Sequence, residues 1–170
     1  GIAEQQAVSM AAGIARQGGR PVFGVVSTFL QRAYDQMSHD VALNCLPVVL
    51  VTFYNGVFGL SDKTHLGIFD TALISNIPGL LYLAPTCKEE YLAMLDWAVK
   101  QTDRPVAIRT PGGPVRESSV DVPSDYTNVG YQIVEEGERV AIIAASSMFE
   151  NGSKACAMLR EKGYRPTLIN

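Results

Sequence analysis

Short apolar runs alternating with amphipathic stretches constrain this chain more than any other feature. Pro21 to Val26, Pro47 to Phe53, Leu80 to Ala84 and Pro105 to Arg109 are strand-length and apolar almost throughout. Strands of that kind are covered on both faces, as in a parallel sheet between helices. Helical patterns separate them. Ala3 to Gln17 carries Val8, Ala11, Ala12 and Ala15 on one face and stops at Gly18-Gly19. A helix capped by Ser27 or Thr28 is predicted to run to about Asn44, with Leu30, Ala33, Tyr34, Met37 and Val41 at buried spacing. A polar loop spans Tyr54 to Gly67, and a short helix follows from about Phe69 to Asn76. Thr86-x-x-Glu89 reads as a capping box for a helix ending near Lys100, whose predicted buried stripe is Tyr91, Leu92, Leu95, Ala98 and Val99.

The predicted fold class is therefore α/β, a mostly parallel sheet with helices on both faces. Thr110 to Asn128 holds three prolines, two glycines and three serines, and so reads as a connection between domains. Beyond it, Val129 to Val134 and Val140 to Ala145 read as strands, Phe149 to Lys162 as a helix, and Thr167 to Ile169 as a further strand. This is one β-α-β unit of a second α/β domain, cut short. The expected bounds are 1–111 for the first domain, 112–128 for the linker and 129–170 for the truncated unit. A lone unit buries its sheet poorly, so it is expected to dock on the first domain or on a partner. No methionine precedes Gly1, and the chain stops within the apolar Leu168-Ile169-Asn170, so a piece of a longer protein, or only its ordered part, is expected.

Composition narrows the function classes. The 170 residues carry a net charge of −3, and the 14 Lys and Arg are scattered, so no basic face is available to neutralise nucleic-acid phosphates. No apolar run reaches the roughly 20 residues of a membrane span, and a signal-peptide start is missing. Cys45, Cys87 and Cys156 are odd in number and far apart; they read as buried thiols of a reducing cytoplasm rather than as metal ligands.

Chemistry-bearing residues gather in two strings. Glu4 lies in a first helical turn, where the helix dipole alone favours an acid. Ser27-Thr28-Phe29-Leu30-Gln31-Arg32-Ala33-Tyr34-Asp35-Gln36 follows the first strand directly. The carboxyl ends of parallel strands open on one crevice, so Phe29 and Arg32 fall at its edge, and their i, i+3 spacing puts them on one helix face. An aromatic ring with an arginine can hold a flat heteroaromatic ligand by stacking and donated hydrogen bonds. His65, taken alone, reads as a surface loop residue. His39 lies mid-helix and reads as structural; Asp35, Gln36 and Asp40 read as helix-surface or interface groups. The loop glycines lack nucleotide-loop spacing, and turn geometry accounts for them.

Together with Gly1-Ile2-Ala3-Glu4-Gln5, His39-Asp40-Val41-Ala42-Leu43, Thr64-His65-Leu66-Gly67-Ile68-Phe69-Asp70, Ile77-Pro78 and Pro105-Val106-Ala107-Ile108-Arg109, this string resembles the transketolase family. Within it, the likeness is to the pyrimidine-binding domain of the 1-deoxy-D-xylulose-5-phosphate synthase branch, and the tail resembles the start of that family's C-terminal domain. The resemblance implies thiamine diphosphate as cofactor. In that family a carboxyl at the Glu4 position bonds a ring nitrogen of the aminopyrimidine, favouring the tautomer that takes the thiazolium proton. By the same match Phe29 stacks on the aminopyrimidine, Arg32 lies beside it and His65 faces the substrate. The family's diphosphate and Mg2+ site uses a Gly-Asp-Gly motif in a separate domain. No Gly-Asp-Gly occurs here, so no metal ligand is assigned, and the isolated chain is expected to bind cofactor poorly and turn nothing over. That domain is expected upstream in the same polypeptide or in a separate subunit, with a homodimer as the implied assembly. Ordinary synthase activity would feed isoprenoid, thiamine and pyridoxal synthesis.

Several positions depart from the branch pattern. Gln6 stands for histidine, Val26 for tyrosine, Tyr54 for arginine and Ser61 (beside Asp62) for aspartate. Thr110-Pro111-Gly112-Gly113 replaces Tyr-Pro-Arg-Gly. Both missing arginines are those that would grip a phosphorylated acceptor, so an altered acceptor is expected. Two alternatives stay within the family type: the C-terminal subunit of a split transketolase, or a β-subunit of a 2-oxo acid dehydrogenase. A non-catalytic interaction module is the alternative of another class; Glu4, Phe29 and Arg32 together speak against it.

Overall fold

A computed structural model describes residues 2–56, 64–111, 122–128 and 130–170. Ser61, Asp62, Gly112, Gly113 and Val129, together with residues 112–121 of the expected linker, lie outside the described residues. Helix α1 (Glu4–Arg16) leads to β1 (Val22–Val26), and β2 (Val49–Asn55), α2 (Asp70–Ser75), β3 (Leu81–Leu83), α3 (Lys88–Lys100) and β4 (Val106–Pro111) follow. The four strands form one parallel sheet in the order β1-β2-β4-β3. Alternation along β2 shows why it is apolar on both faces. Leu50 points into a core with Val8, Ala11, Leu30, Met37 and Val41, while Val49 and Val51 meet Met94, Ala98 and Ile108 on the other side. The predicted face of α1 is buried at all four positions, Val8, Ala11, Ala12 and Ala15.

Four local expectations need correction. The predicted helix from Ser27 to Asn44 is two irregular pieces, a 3-10 helix at Ser27–Ala33 and a π-helical stretch at Gln36–Ala42. The wide turn is fastened by Leu43 N–H on Ser38 O at 2.9 Å and Leu46 N–H on Val41 O at 3.1 Å, both reaching back five residues. Widening the turn buries Met37, Val41 and Ala42 together, whereas Tyr34 is left at the surface with its hydroxyl 2.5 Å from Asn76 Oδ1. The capping box of α3 sits one residue later than predicted. Cys87 is the N-cap and accepts from Glu90 N–H, while Glu90 Oε2 accepts from the Thr86 N–H (2.7 Å) and hydroxyl (2.8 Å). That setting turns Glu90 and Met94 inward and Leu92 outward, so Leu92 is not part of the buried stripe. Finally, Cys45 is exposed in a turn with φ 50, Cys87 is half-buried and only Cys156 is buried; all three thiols are free.

Tyr54 and Asn55, read as loop, extend β2 instead. The register against β4 shifts between Thr52 and Asn55, and Tyr54 takes a left-handed φ of 54. This bulge leaves Phe53 and Tyr54 exposed in succession and turns Asn55 inward to complete burial.

The tail forms a second sheet, β5 (Ile133–Glu135), β6 (Ala141–Ile143) and β7 (Thr167–Ile169), ordered β5-β7-β6 and backed by α4 (Phe149–Glu161). Strand β6 runs parallel to β7 through α4, as a β-α-β unit requires, and β5 is antiparallel to β7. Gly152 permits close packing of α4, because a Cβ there would lie 2.5 Å from that of Ala144. Tyr126, from the expected linker, is buried in the first sheet's second core with its ring 5.9 Å from Trp97. Asn170 donates to Glu90 of α3 at 3.3 Å.

Candidate functional site

Glu4 begins α1 beside the carboxyl end of β1, and its side chain is 10% exposed. Arg32 Nη1 lies 3.4 Å from Glu4 Oε2, an ion pair at the long limit of a hydrogen bond. The 3-10 helix explains how Arg32 meets Phe29. At three residues per turn, positions i and i+3 eclipse, and the guanidinium carbon stands 5.5 Å from the Phe29 ring centre. This is closer alignment than the α-helical spacing assumed from sequence.

His65 arrives from the far side of the loop. Its ring is edge-on to Phe29, with centroids 5.2 Å apart and planes at 82°, and Thr64 Oγ1 lies 2.7 Å from Nδ1. The approach depends on Gly67. Gly56 N–H donates to Gly67 O at 2.7 Å, and Asn55 and Gly56 both bridge to Gly67. A Cβ on Gly67 would fall 2.2 Å from Tyr54 O, 2.6 Å from Ser27 Oγ and 2.7 Å from Asn55 Cα, so only glycine fits. Thr28, Phe29, Gln31, Arg32, Thr64 and His65 thus line one open hollow of about 460 Å³. The four predicted residues, Glu4, Phe29, Arg32 and His65, are brought together at one sheet edge.

Sequence reasoning assigned no role to a second cluster beneath this edge. Asp70 Oδ2 accepts from Asn55 Nδ2 (2.6 Å), Arg109 Nε (2.7 Å) and the Tyr82 hydroxyl. Thr52 Oγ1 donates to Asn55 Oδ1 at 3.1 Å. Burial works against ionisation of Asp70, but the bonds from Arg109, Tyr82 and Asn55 outweigh it and hold the carboxyl below its usual range. Burial first, and the Asp70 carboxylate next, push the Tyr82 hydroxyl well above its ordinary value. An acid opening α2 and an arginine ending an apolar strand were the available signals.

The other polar residues fall where the sequence suggested. His39 Nδ1 lies 2.6 Å from Asp35 on an exposed face, and Asp40 accepts from Ser9 of α1 at 2.5 Å. Among the described residues, no three His, Cys, Asp or Glu side chains group as metal ligands. Nor is any helix among them long and apolar enough to cross a membrane.

In open parallel α/β sheets the crevice at the carboxyl ends of the strands is where ligands bind, and the Glu4, Arg32 and Phe29 side chains gather there. The family described as "Transketolase, pyrimidine binding domain" matches residues 1–117. This chain belongs to that transketolase family. Over its whole length it is 42% identical to a 1-deoxy-D-xylulose-5-phosphate synthase of Clostridium botulinum and 44% identical to a 1-deoxy-D-xylulose-5-phosphate synthase 1 of Geobacter sulfurreducens. It spans 27% of the length of each. Among solved structures, a split-gene transketolase described as an inactive β4 tetramer superposes with a TM-score of 0.83 at 24% identity, covering 98% of this chain and 54% of that one. A Pichia stipitis transketolase in complex with sedoheptulose 7-phosphate gives 0.86 at 18% identity, covering 98% of this chain and 25% of that one. These two likenesses bear on the fold.

Proposed function

We propose that this chain is the pyrimidine-binding part of a thiamine diphosphate-dependent transferase of the 1-deoxy-D-xylulose-5-phosphate synthase kind. Such an enzyme joins pyruvate to an aldehyde, glyceraldehyde 3-phosphate in the ordinary case, with loss of CO2. The observation that carries the reading is the buried Glu4 carboxylate, 3.4 Å from Arg32, whose guanidinium in turn stands over the Phe29 ring. A hollow of this size suits a flat heteroaromatic ring, and a carboxylate sheltered from water suits a proton held on a ring nitrogen.

When bound, thiamine diphosphate would supply the electron sink for cleavage beside a carbonyl. Glu4 would hold a proton at the aminopyrimidine nitrogen. Arg32 would keep Glu4 oriented, Phe29 would stack on the ring, and His65 would contact substrate from the open side. The diphosphate and its Mg2+ are assigned to a further domain, in the same polypeptide or on a separate subunit, and the working assembly to a cytoplasmic homodimer. Residues 1–111 form the pyrimidine-binding domain in this reading, 112–128 the linker and 129–170 the start of the C-terminal domain.

The acceptor is expected to differ. Tyr54 is 62% exposed and carries no charge where the branch pattern has arginine, and Gly112 offers no side chain at the second such position. Each charge-assisted bond to a phosphate is worth about 1.5–3 kcal/mol, so losing both weakens a phosphorylated acceptor by orders of magnitude.

The complete protein with thiamine diphosphate, Mg2+ and pyruvate should release CO2 in an aldehyde-dependent way and prefer an uncharged aldehyde. Ordinary turnover of glyceraldehyde 3-phosphate would keep the transferase reading and sink the altered acceptor. No cofactor binding and no CO2 release with any aldehyde would sink the reading itself.

A further inference from the structure

The Asp70 cluster lies directly behind the His65 segment and is joined to it by a short chain of contacts. Asn55 is the link. Its side chain turns inward because the β2 register shifts, and the shift leaves Tyr54 in a left-handed backbone that a tyrosine rarely adopts. The compensation lies in the buried bonds of Asn55, to Asp70 at 2.6 Å and from Thr52 at 3.1 Å. On its backbone side, Asn55 is bridged to Gly67, where no room remains for even a methyl group. Gly67 is two residues from His65.

We propose that Asp70 is a positioning residue for His65: its carboxylate draws Asn55 inward, Asn55 fixes the Gly56–Gly67 junction, and that junction sets the imidazole edge-on to Phe29. The same carboxylate occupies Arg109, the arginine at the end of β4, whose side chain is only 17% exposed. Arg109 is thereby committed to the fold and does not replace the two arginines absent from the site. Among the described residues, Asp70 and Asn55 share no hydrogen bond or ion pair with Glu4 or Arg32, so their loss should misplace His65 and spare the Glu4–Arg32 pair. The catalytic part of this inference rests on the proposed thiamine-dependent function; the mechanical part does not.

The test uses Asp70→Asn, Asn55→Ala and, as control, Tyr82→Phe, which removes one bond from the carboxylate but leaves the Asp70–Asn55 link. In the complete protein, histidine-labelled NMR with signals assigned by His65→Gln and His39→Gln reads the His65 ring, with His39, the other histidine of these 170 residues, as reference. Asn55→Ala and Asp70→Asn should shift the His65 signals and leave those of His39 in place; Tyr82→Phe should move neither. In the complete enzyme the first two should lower kcat roughly 10–100-fold, the cost of a misplaced contact, with cofactor affinity nearly unchanged. If Asp70→Asn does not fold, Asn55→Ala against Tyr82→Phe decides. Unmoved His65 signals in folded Asn55→Ala would overturn the inference. A shifted His65 signal in a protein without thiamine-dependent activity would keep the inference and remove the functional reading instead.

Discussion

The group formed by Glu4, Arg32, Phe29 and His65 and the cluster around Asp70 lie at the same edge of one sheet, yet they are built on opposite terms. Around Glu4 the contacts are long: 3.4 Å to Arg32, 5.5 Å from Arg32 to the Phe29 ring, 5.2 Å between Phe29 and His65. Around Asp70 they are at or below 2.7 Å and buried or partly buried. The first group turns the Arg32 guanidinium and the Phe29 ring toward an open hollow. The second spends its hydrogen bonds internally and gains rigidity. A site that must receive a flat cofactor needs the first kind of cluster held in place by the second.

Breaking the rigid cluster should produce the largest loss of stability. Arg109→Ala leaves the buried Asp70 charge without its main partner and should cost about 3–5 kcal/mol in urea unfolding; a change below about 1 kcal/mol would mean the pair is not the anchor described. Gly67→Ala comes next. Overpacking against Tyr54 O and Ser27 Oγ should cost about 1–3 kcal/mol, with hydrogen exchange rising first at Gly56, whose N–H is bonded to Gly67.

Acid should sharpen the contrast further. The folded carboxyl of Asp70 lies below its unfolded value, so its contribution is full above that unfolded value, about 3.9, and is lost as pH falls through the folded one. Unfolding midpoints measured from neutral pH down to acid should therefore fall below about pH 4. Asp70→Asn should flatten that part of the profile; an unchanged profile would contradict the assignment. The smallest effect belongs to the surface. His39→Ala removes an exposed i, i+4 pair with Asp35 and should change stability by no more than about 0.5 kcal/mol in the same unfolding assay.

The two clusters were not equally legible in the sequence. Glu4, Phe29 and Arg32 lie within two strings around a single strand, so local spacing and a family resemblance suffice to join them. Asn55, Asp70, Tyr82 and Arg109 come from four elements. They meet only because β4 inserts between β2 and β3, an order that no local pattern encodes. The strand at β2 was legible because Pro47 to Thr52 are all buried, from one side of the sheet or the other. The π-helical stretch was hidden because Leu30, Ala33, Met37 and Val41 satisfy an ordinary helical period as well as the wider turn. Leu92 misled because apolar type was taken as burial, whereas the Cys87 cap fixes the rotation of α3 and turns Met94 inward instead.

Glu4 remains the residue on which the account turns. Its most direct test is proton exchange at the thiazolium carbon of thiamine diphosphate bound to the complete enzyme, comparing the natural protein with Glu4→Gln. Exchange should slow by about 10²–10⁴-fold, the scale of a lost acid–base partner, while the fold and its unfolding midpoint are kept. Exchange at the natural rate in Glu4→Gln would contradict it.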